Sequence, residues 1–232
     1  MQRTLFVLAL VAASTATHAA TIQVTVRDRD GRPAPDVVVL LDAPGKAAAA
    51  AAAPGVVLIT QENSRFVPRL TVVAVGTTLR FTNRDAYDHH VRAMPSGPLG
   101  SIAPVKSFEL RLDAAEGAPQ PTDEYKPPAP VKRNANPQRS AEVKLDQAGP
   151  IGLGCHIHAT MRGQVYVSPS PWFGKTDAQG VATIDGVPEG DVKLSLWHAD
   201  QLQEQAAQTV QSGAAPSSVE ARLNFSPRRQ RN

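Results

Sequence analysis

One cysteine, Cys155, stands alone in 232 residues, so no disulfide can form within the chain. Its thiol has to be buried, reactive or coordinating. The same scarcity excludes c-type haem attachment, which needs a Cys-x-x-Cys-His run. Aromatic residues make up 5% of the chain and none interleaves with the basic clusters Lys132-Arg133 and Arg228-Arg229-Arg231. The net charge of +3 therefore reads as a solvated surface and argues against nucleic-acid binding. Long hydrophobic runs are missing as well. The stretch from Leu5 to Ala13 is too short to span a bilayer, and nothing later is long enough, so no membrane span is expected in the mature protein. Nor is there a long apolar helical period, whereas 20 prolines, 16 glycines and many Val and Thr favour an all-β class.

Arg3, the apolar run and the small residues ending at Ala19-Ala20 match a secretory signal peptide over residues 1–20. A periplasmic location is expected. Export makes the lone thiol more telling, because an unprotected cysteine in an oxidising compartment pairs or oxidises. Metal ligation would protect it.

Strand patterns recur along the chain. Ile22, Val24 and Val26 alternate, a turn follows at Asp28–Pro33, and Val37–Leu41 resumes, which predicts a β-hairpin. Ala47–Ala53 reads as a spacer. Further strands are expected at Val56–Ile59, Phe66–Val72 and Gly76–Asn83, and another hairpin at Thr176–Leu194, with turn residues at both ends. A proline-rich, charged segment between Leu112 and Val143 cannot support a core and reads as an extended loop or partly disordered flap.

The stretch that carries chemistry is Gly152-Leu153-Gly154-Cys155-His156-Ile157-His158-Ala159-Thr160-Met161-Arg162-Gly163. It sets a thiol, an imidazole and a thioether at three-residue intervals. That spacing would also fit one face of a helix, but flanking glycines and the following Val165-Tyr166-Val167 place it on a loop between strands. Soft sulfur beside imidazole selects copper among the common metals, and Cys with two His and a weak axial Met describes a blue-copper site. Zinc is disfavoured because thioether is a poor zinc ligand. A second imidazole has to come from elsewhere, and Asp88-His89-His90-Val91 offers two. In a strand His89 shares a face with the apolar Val91 and His90 faces the other way, so His89 is chosen.

Phe66-x-Pro68, Gly76-x-x-x-x-Phe81-x-Asn83-x-Asp85, His89-x-Val91 and Cys155-x-x-His158-x-x-Met161 together resemble the cupredoxins, the blue-copper β-sandwich family of plastocyanin, azurin and amicyanin. The order of the motifs and the short loop are most similar to amicyanin. The resemblance covers about residues 55–168. It implies one type 1 copper ion held by His89, Cys155, His158 and Met161. It also implies that Asn83 braces the ligand strand by hydrogen bonding, while His90 and His156 lie beside the site or on the surface. The ends of the chain, Val24-x-Val26-x-Asp28-x-x-Gly31-x-Pro33 and Thr176–Leu194, resemble the two halves of a carboxypeptidase-regulatory-like (transthyretin-like) sandwich. The combined layout is similar to exported proteins of the methylamine utilization type.

The expected fold is thus a Greek-key cupredoxin sandwich inserted in, or flanked by, a small transthyretin-like sandwich. A signal peptide at 1–20 is followed by a first half-sandwich at 21–45 and an Ala-rich linker at 46–54. A cupredoxin domain at 55–170 with an insertion at about 113–142, a second half-sandwich at 174–225 and a basic tail at 226–232 complete it. Each half-sandwich alone has too few strands for a core, which favours the inserted version over separate modules. The function expected from the resemblance is periplasmic electron transfer between redox partners such as a c-type cytochrome or a dehydrogenase, with no enzymatic activity. Rival readings are copper storage, and a binding or adhesion module using Trp172, Phe173 and Trp197, for which core packing is the preferred role. A Cys155 nucleophile with His158 as base lacks an orienting Asn or Asp and leaves Met161 idle. The five histidines after residue 20 are too few for a multicopper oxidase or nitrite reductase.

Overall fold

The computed structural model describes residues 19–43, 54–114 and 138–228. Most of the expected signal peptide, the alanine run, most of the proline-rich insertion and the end of the basic tail lie outside them. The architecture is all β, as expected. Among the described residues the strands run β1 Ala19–Arg27, β2 Val38–Asp42, β3 Val56–Glu62, β4 Arg65–Val67, β5 Leu70–Ala74, β6 Thr78–Asn83 and β7 His89–Met94. They continue as β8 Glu109–Leu112, β9 Ser140–Lys144, β10 Gly149–Cys155, β11 Arg162–Ser168 and β12 Trp172–Lys175. The last four are β13 Val181–Pro188, β14 Gly190–Trp197, β15 Gln208–Ser212 and β16 Ser217–Arg222.

Four sheets form two sandwiches. Strands from both ends of the chain build the first, with sheets β13-β1-β16 and β12-β2-β14-β15. Their shared core includes Ile22, Val24, Val39, Leu41, Trp172, Ile184, Val192 and Leu223. The second lies between them in sequence, with sheets β5-β11-β10-β7-β8 and β4-β3-β6-β9. Its core gathers Ile59, Leu79, Phe81, Val91, Leu153 and Val165 around Cys155 and Met161.

Both hairpin expectations need correction. β1 pairs with β13 and β16, whereas β2 pairs with β12 and β14. The turn chemistry is present, because the Asp28 carboxylate accepts from the N–H of Asp30 at 2.8 Å and of Arg32 at 2.9 Å. The chain then crosses to the facing sheet instead of folding back. Thr176 fixes that crossing from inside: its hydroxyl accepts from Val37 N–H at 2.8 Å and donates to Ala34 C=O at 2.7 Å. Likewise β13 and β14, joined only through Glu189, belong to opposite sheets. The Phe66–Val72 strand also divides. Phe66 ends up in β4 and Leu70 in β5, on opposite sheets, because Pro68 brings no N–H to extend a ladder.

The unbroken apolar run Val37–Leu41 has a tertiary cause. Val39 and Leu41 face the first core, while Val38 packs with Leu70 and Trp197, backed by Val72 and Tyr166, at the junction of the two sandwiches. β2 is therefore buried on both faces. Trp172 and Trp197 are also buried, and Trp172 Nε1 donates to Gly186 C=O at 2.7 Å, so neither indole is available as an exposed sugar platform.

Thr176→Val is expected to destabilise the protein by about 2 kcal/mol, because it strands a buried N–H and a buried carbonyl. The check is the midpoint of urea unfolding followed by far-UV circular dichroism. An unchanged midpoint would mean that the crossing does not depend on this hydroxyl.

Candidate metal centre

Three residues from separated places in the second sandwich meet at one of its ends. His89 opens β7, Cys155 closes β10, and His158 lies in the short connection to β11. The β7–β10 ladder runs antiparallel with Cys155 opposite Val91, which carries His89 to the side of the thiol although 66 positions separate them. Cys155 Sγ is 3.6 Å from His89 Nδ1 and 3.5 Å from His158 Nδ1. One sulfur and two ring nitrogens all lie within 4.8 Å of one another, the single such group of metal-ligating side chains among the described residues. Met161 is buried in the same core cluster as Cys155. The loop is closed on itself by backbone bonds from Cys155 N–H to Met161 C=O at 3.3 Å and from Met161 N–H to His158 C=O at 3.0 Å. The N–H of His90 points at the cysteine sulfur from 3.4 Å.

The alternation argued for residues 89–91 matches the burial: His89 and Val91 are fully buried, and His90 is partly exposed. His90 instead pairs with Glu109 at 2.7 Å, and His156 Nδ1 contacts the Arg92 guanidinium at 3.1 Å, both away from the cluster. Asn83 is buried and spans three segments. Its Oδ1 accepts from Asp85 N–H at 2.8 Å, and its Nδ2 donates to Tyr87 C=O at 2.8 Å and Asp113 C=O at 3.0 Å. It therefore holds both the approach to His89 and the exit from β8.

Two residues at the site were not assigned a role from the sequence. The Asp85 carboxylate accepts from Asn63 N–H at 2.6 Å, Ser64 N–H at 3.0 Å and His89 Nε2 at 2.8 Å. Because the carboxylate can only accept, His89 carries its proton on Nε2 and presents the Nδ1 lone pair to the sulfur. Burial raises the pKa of Asp85, but the N–H of Ser64, the His89 ring and the N–H of Asn63 outweigh it and hold the carboxyl below its usual range. Tyr87 packs against both imidazoles, with ring centroids 5.3 Å from His89 and 5.0 Å from His158, and its hydroxyl is 2.7 Å from Ser64 Oγ. Asp85 lies two residues after Asn83, yet only the fold shows that it faces the ring four residues on.

His158 is partly buried, and burial with the nearby His89 outweighs Asp85 to hold its pKa below the ordinary imidazole value. Its neutral form, the one with a free lone pair, is thus favoured. Beside it Ile157 is exposed. The donor set fits a soft or borderline metal: one thiol, two imidazole nitrogens already turned toward it, and a thioether nearby.

No family model and no curated protein matches the chain. Among solved structures, the chain is similar to a copper-containing nitrite reductase from Thermus scotoductus SA-01, with 17% identity, a TM-score of 0.34 and 48% of this chain covered. The match spans 22% of the nitrite reductase's length. A purple cupredoxin from Nitrosopumilus maritimus gives 18% identity and a TM-score of 0.33, covering 48% of this chain and 98% of that one. The Cu(I) form of an amicyanin variant gives 20% and 0.32, covering 56% and 98%. At such values the site has to be read from its own geometry.

Proposed function

We propose that the chain is an exported type 1 copper protein of the cupredoxin kind, which carries single electrons between periplasmic redox proteins. The observation that carries this reading is the convergence of Cys155 Sγ with His89 Nδ1 and His158 Nδ1 within 4.8 Å. Copper held there would supply one-electron cycling between Cu(II) and Cu(I). His89, Cys155 and His158 would hold it, with the thioether of nearby Met161 as a weaker ligand.

The remaining chemistry belongs to the polypeptide. Asp85 fixes the tautomer and angle of His89, as a carboxylate behind a metal-binding imidazole does. Tyr87 wedges both rings, and the closed Cys155–Met161 loop limits how far the ligand atoms move between oxidation states. The His90 N–H near the sulfur would withdraw charge from the thiolate and so tune the potential. Partly exposed His158, with exposed Ile157 beside it, is the route by which an electron would reach a partner such as a c-type cytochrome or a dehydrogenase. No substrate is transformed in this scheme.

The test is visible absorption of the purified mature protein titrated with Cu(II), beside Cys155→Ala. An intense blue charge-transfer band is expected for the wild type and none for the variant. A folded wild type without that band would overturn the electron-carrier reading and leave copper storage in its place.

A further inference from the structure

A second feature lies away from the metal cluster, where the two sandwiches meet. A cleft of about 340 Å³ opens there beside the packed contact of Val38, Leu70 and Trp197. From the second sandwich it is lined by Arg69, Leu70 and Gln164, and from the first by Asp36, His198 and Arg228 among others. Its volume is at the lower end for small-molecule sites.

We propose that this cleft binds a small carboxylate with an apolar body. The reason is a one-sided inventory of hydrogen-bonding atoms. Both acids at the cleft are already paired: Asp36 with Lys175 Nζ at 3.5 Å, and Asp200 with the Arg228 guanidinium at 2.8 Å and 3.2 Å. The side-chain groups left without a partner are donors. Among the described residues the Arg69 guanidinium has no partner, although its backbone C=O accepts from Gln164 N–H at 2.8 Å. Gln164 Oε1 accepts from Ser96 Oγ at 2.8 Å, which leaves the amide nitrogen free to donate.

His198 is the buried member, 7% exposed. Its Nδ1 accepts from Asp200 N–H at 3.0 Å, so the ring proton sits on Nε2, which has no partner among the described residues. Burial keeps the imidazole neutral by lowering its pKa, the more so for nearby Arg69 and Arg228 and against the pull of Asp200 and Asp36. A donor on a largely buried ring that lines a cavity normally meets an acceptor there.

Charge and shape narrow the ligand. Arg69, Lys175 and Arg228 against Asp36 and Asp200 leave one uncompensated positive charge, which suits a monoanion. The planar guanidinium of Arg69 matches a carboxylate in two-point geometry. Leu70 and Ala199 give an apolar wall that inorganic anions would not use. Two sources share this chemistry, a free short-chain acid and the C-terminal carboxylate of a peptide.

The site is independent of the copper reading, since no residue is common to both. The experiment is isothermal titration of the mature protein, at constant ionic strength, with butyrate, a short alanine peptide with a free C-terminus, the same peptide amidated, and inorganic phosphate. Saturable binding of butyrate or the free peptide is expected, at least tenfold weaker in Arg69→Ala. Arg69 is exposed, so this variant should fold, and circular dichroism would verify it. Butyrate binding would assign the free acid as the source, and binding of only the free peptide would assign the chain end. No saturable binding of either carboxylate, equal binding of phosphate or of the amide, or unchanged affinity in Arg69→Ala would overturn the proposal.

Discussion

Gly152→Ala should destabilise the protein by about 3 kcal/mol and disturb the metal cluster, although it adds one methyl group. Gly152 is buried in β10, paired with Met94 on one side and Gln164 on the other. A Cβ built there would sit 2.6 Å from the Pro95 carbonyl oxygen and 2.8 Å from that of Met94. These are backbone atoms at the end of β7, so no side-chain rotation relieves the clash. The strand bearing His89 has to move away from the strand bearing Cys155. Gly154 gives the contrast. Its Cβ would meet mainly Met94 Sδ and, at 2.9 Å, the Arg162 guanidinium, both on flexible side chains. Gly154→Ala should therefore cost less than Gly152→Ala. The check is the urea midpoint of each variant together with the blue band on copper addition. A Gly152→Ala protein within about 1 kcal/mol of wild type would show that the two strands tolerate separation.

The second large effect is expected at Asp85. Its carboxylate satisfies two backbone N–H groups and the His89 ring at once. Asp85→Ala would leave three donors without an acceptor in a buried site, at about 3 to 5 kcal/mol. Asp85→Asn keeps the shape but turns an N–H toward one of those donors, so a smaller loss is expected. In both variants copper affinity should fall about 10- to 100-fold, the usual effect of removing the group behind a ligating imidazole. The pH dependence has a definite sign. The folded pKa of Asp85 lies below the ordinary value, so its contribution is full above that value, about 4, and is lost as pH falls through the folded pKa. Copper-free wild type should therefore lose part of its stability in acid that Asp85→Asn never had. Unfolding midpoints between pH 3 and 7 test this, and parallel curves for the two proteins would rule out the linkage.

What short-range pattern can encode was legible in the amino-acid order. Period-two alternation put Ile22, Val24 and Val26 on one face, and His89 on the face of Val91. The seven-residue run from Cys155 to Met161 carried its thiol, imidazole and thioether in the letters themselves. Asp28 and Asp177 announced turns through local hydrogen bonding, and Asp177 Oδ1 does accept from Gln179 N–H and Val181 N–H at 2.9 Å each.

Which sheet each strand joined followed from the packed fold and not from local pattern. Alternation says which residues share a face but nothing about the partner strand, because pairing rests on contacts between distant segments. Hence β1 and β2, adjacent in sequence and joined by good turn residues, sit in opposite sheets, and β1 pairs in parallel with β16 at the other end of the chain. The same reason kept Asp85 and Tyr87 from being assigned. Their roles depend on where Asn63, Ser64 and His158 arrive, which no spacing in the sequence records. The cleft is hidden for a like cause, since Arg69 and His198 belong to different sandwiches and meet only through the junction at Val38, Leu70 and Trp197.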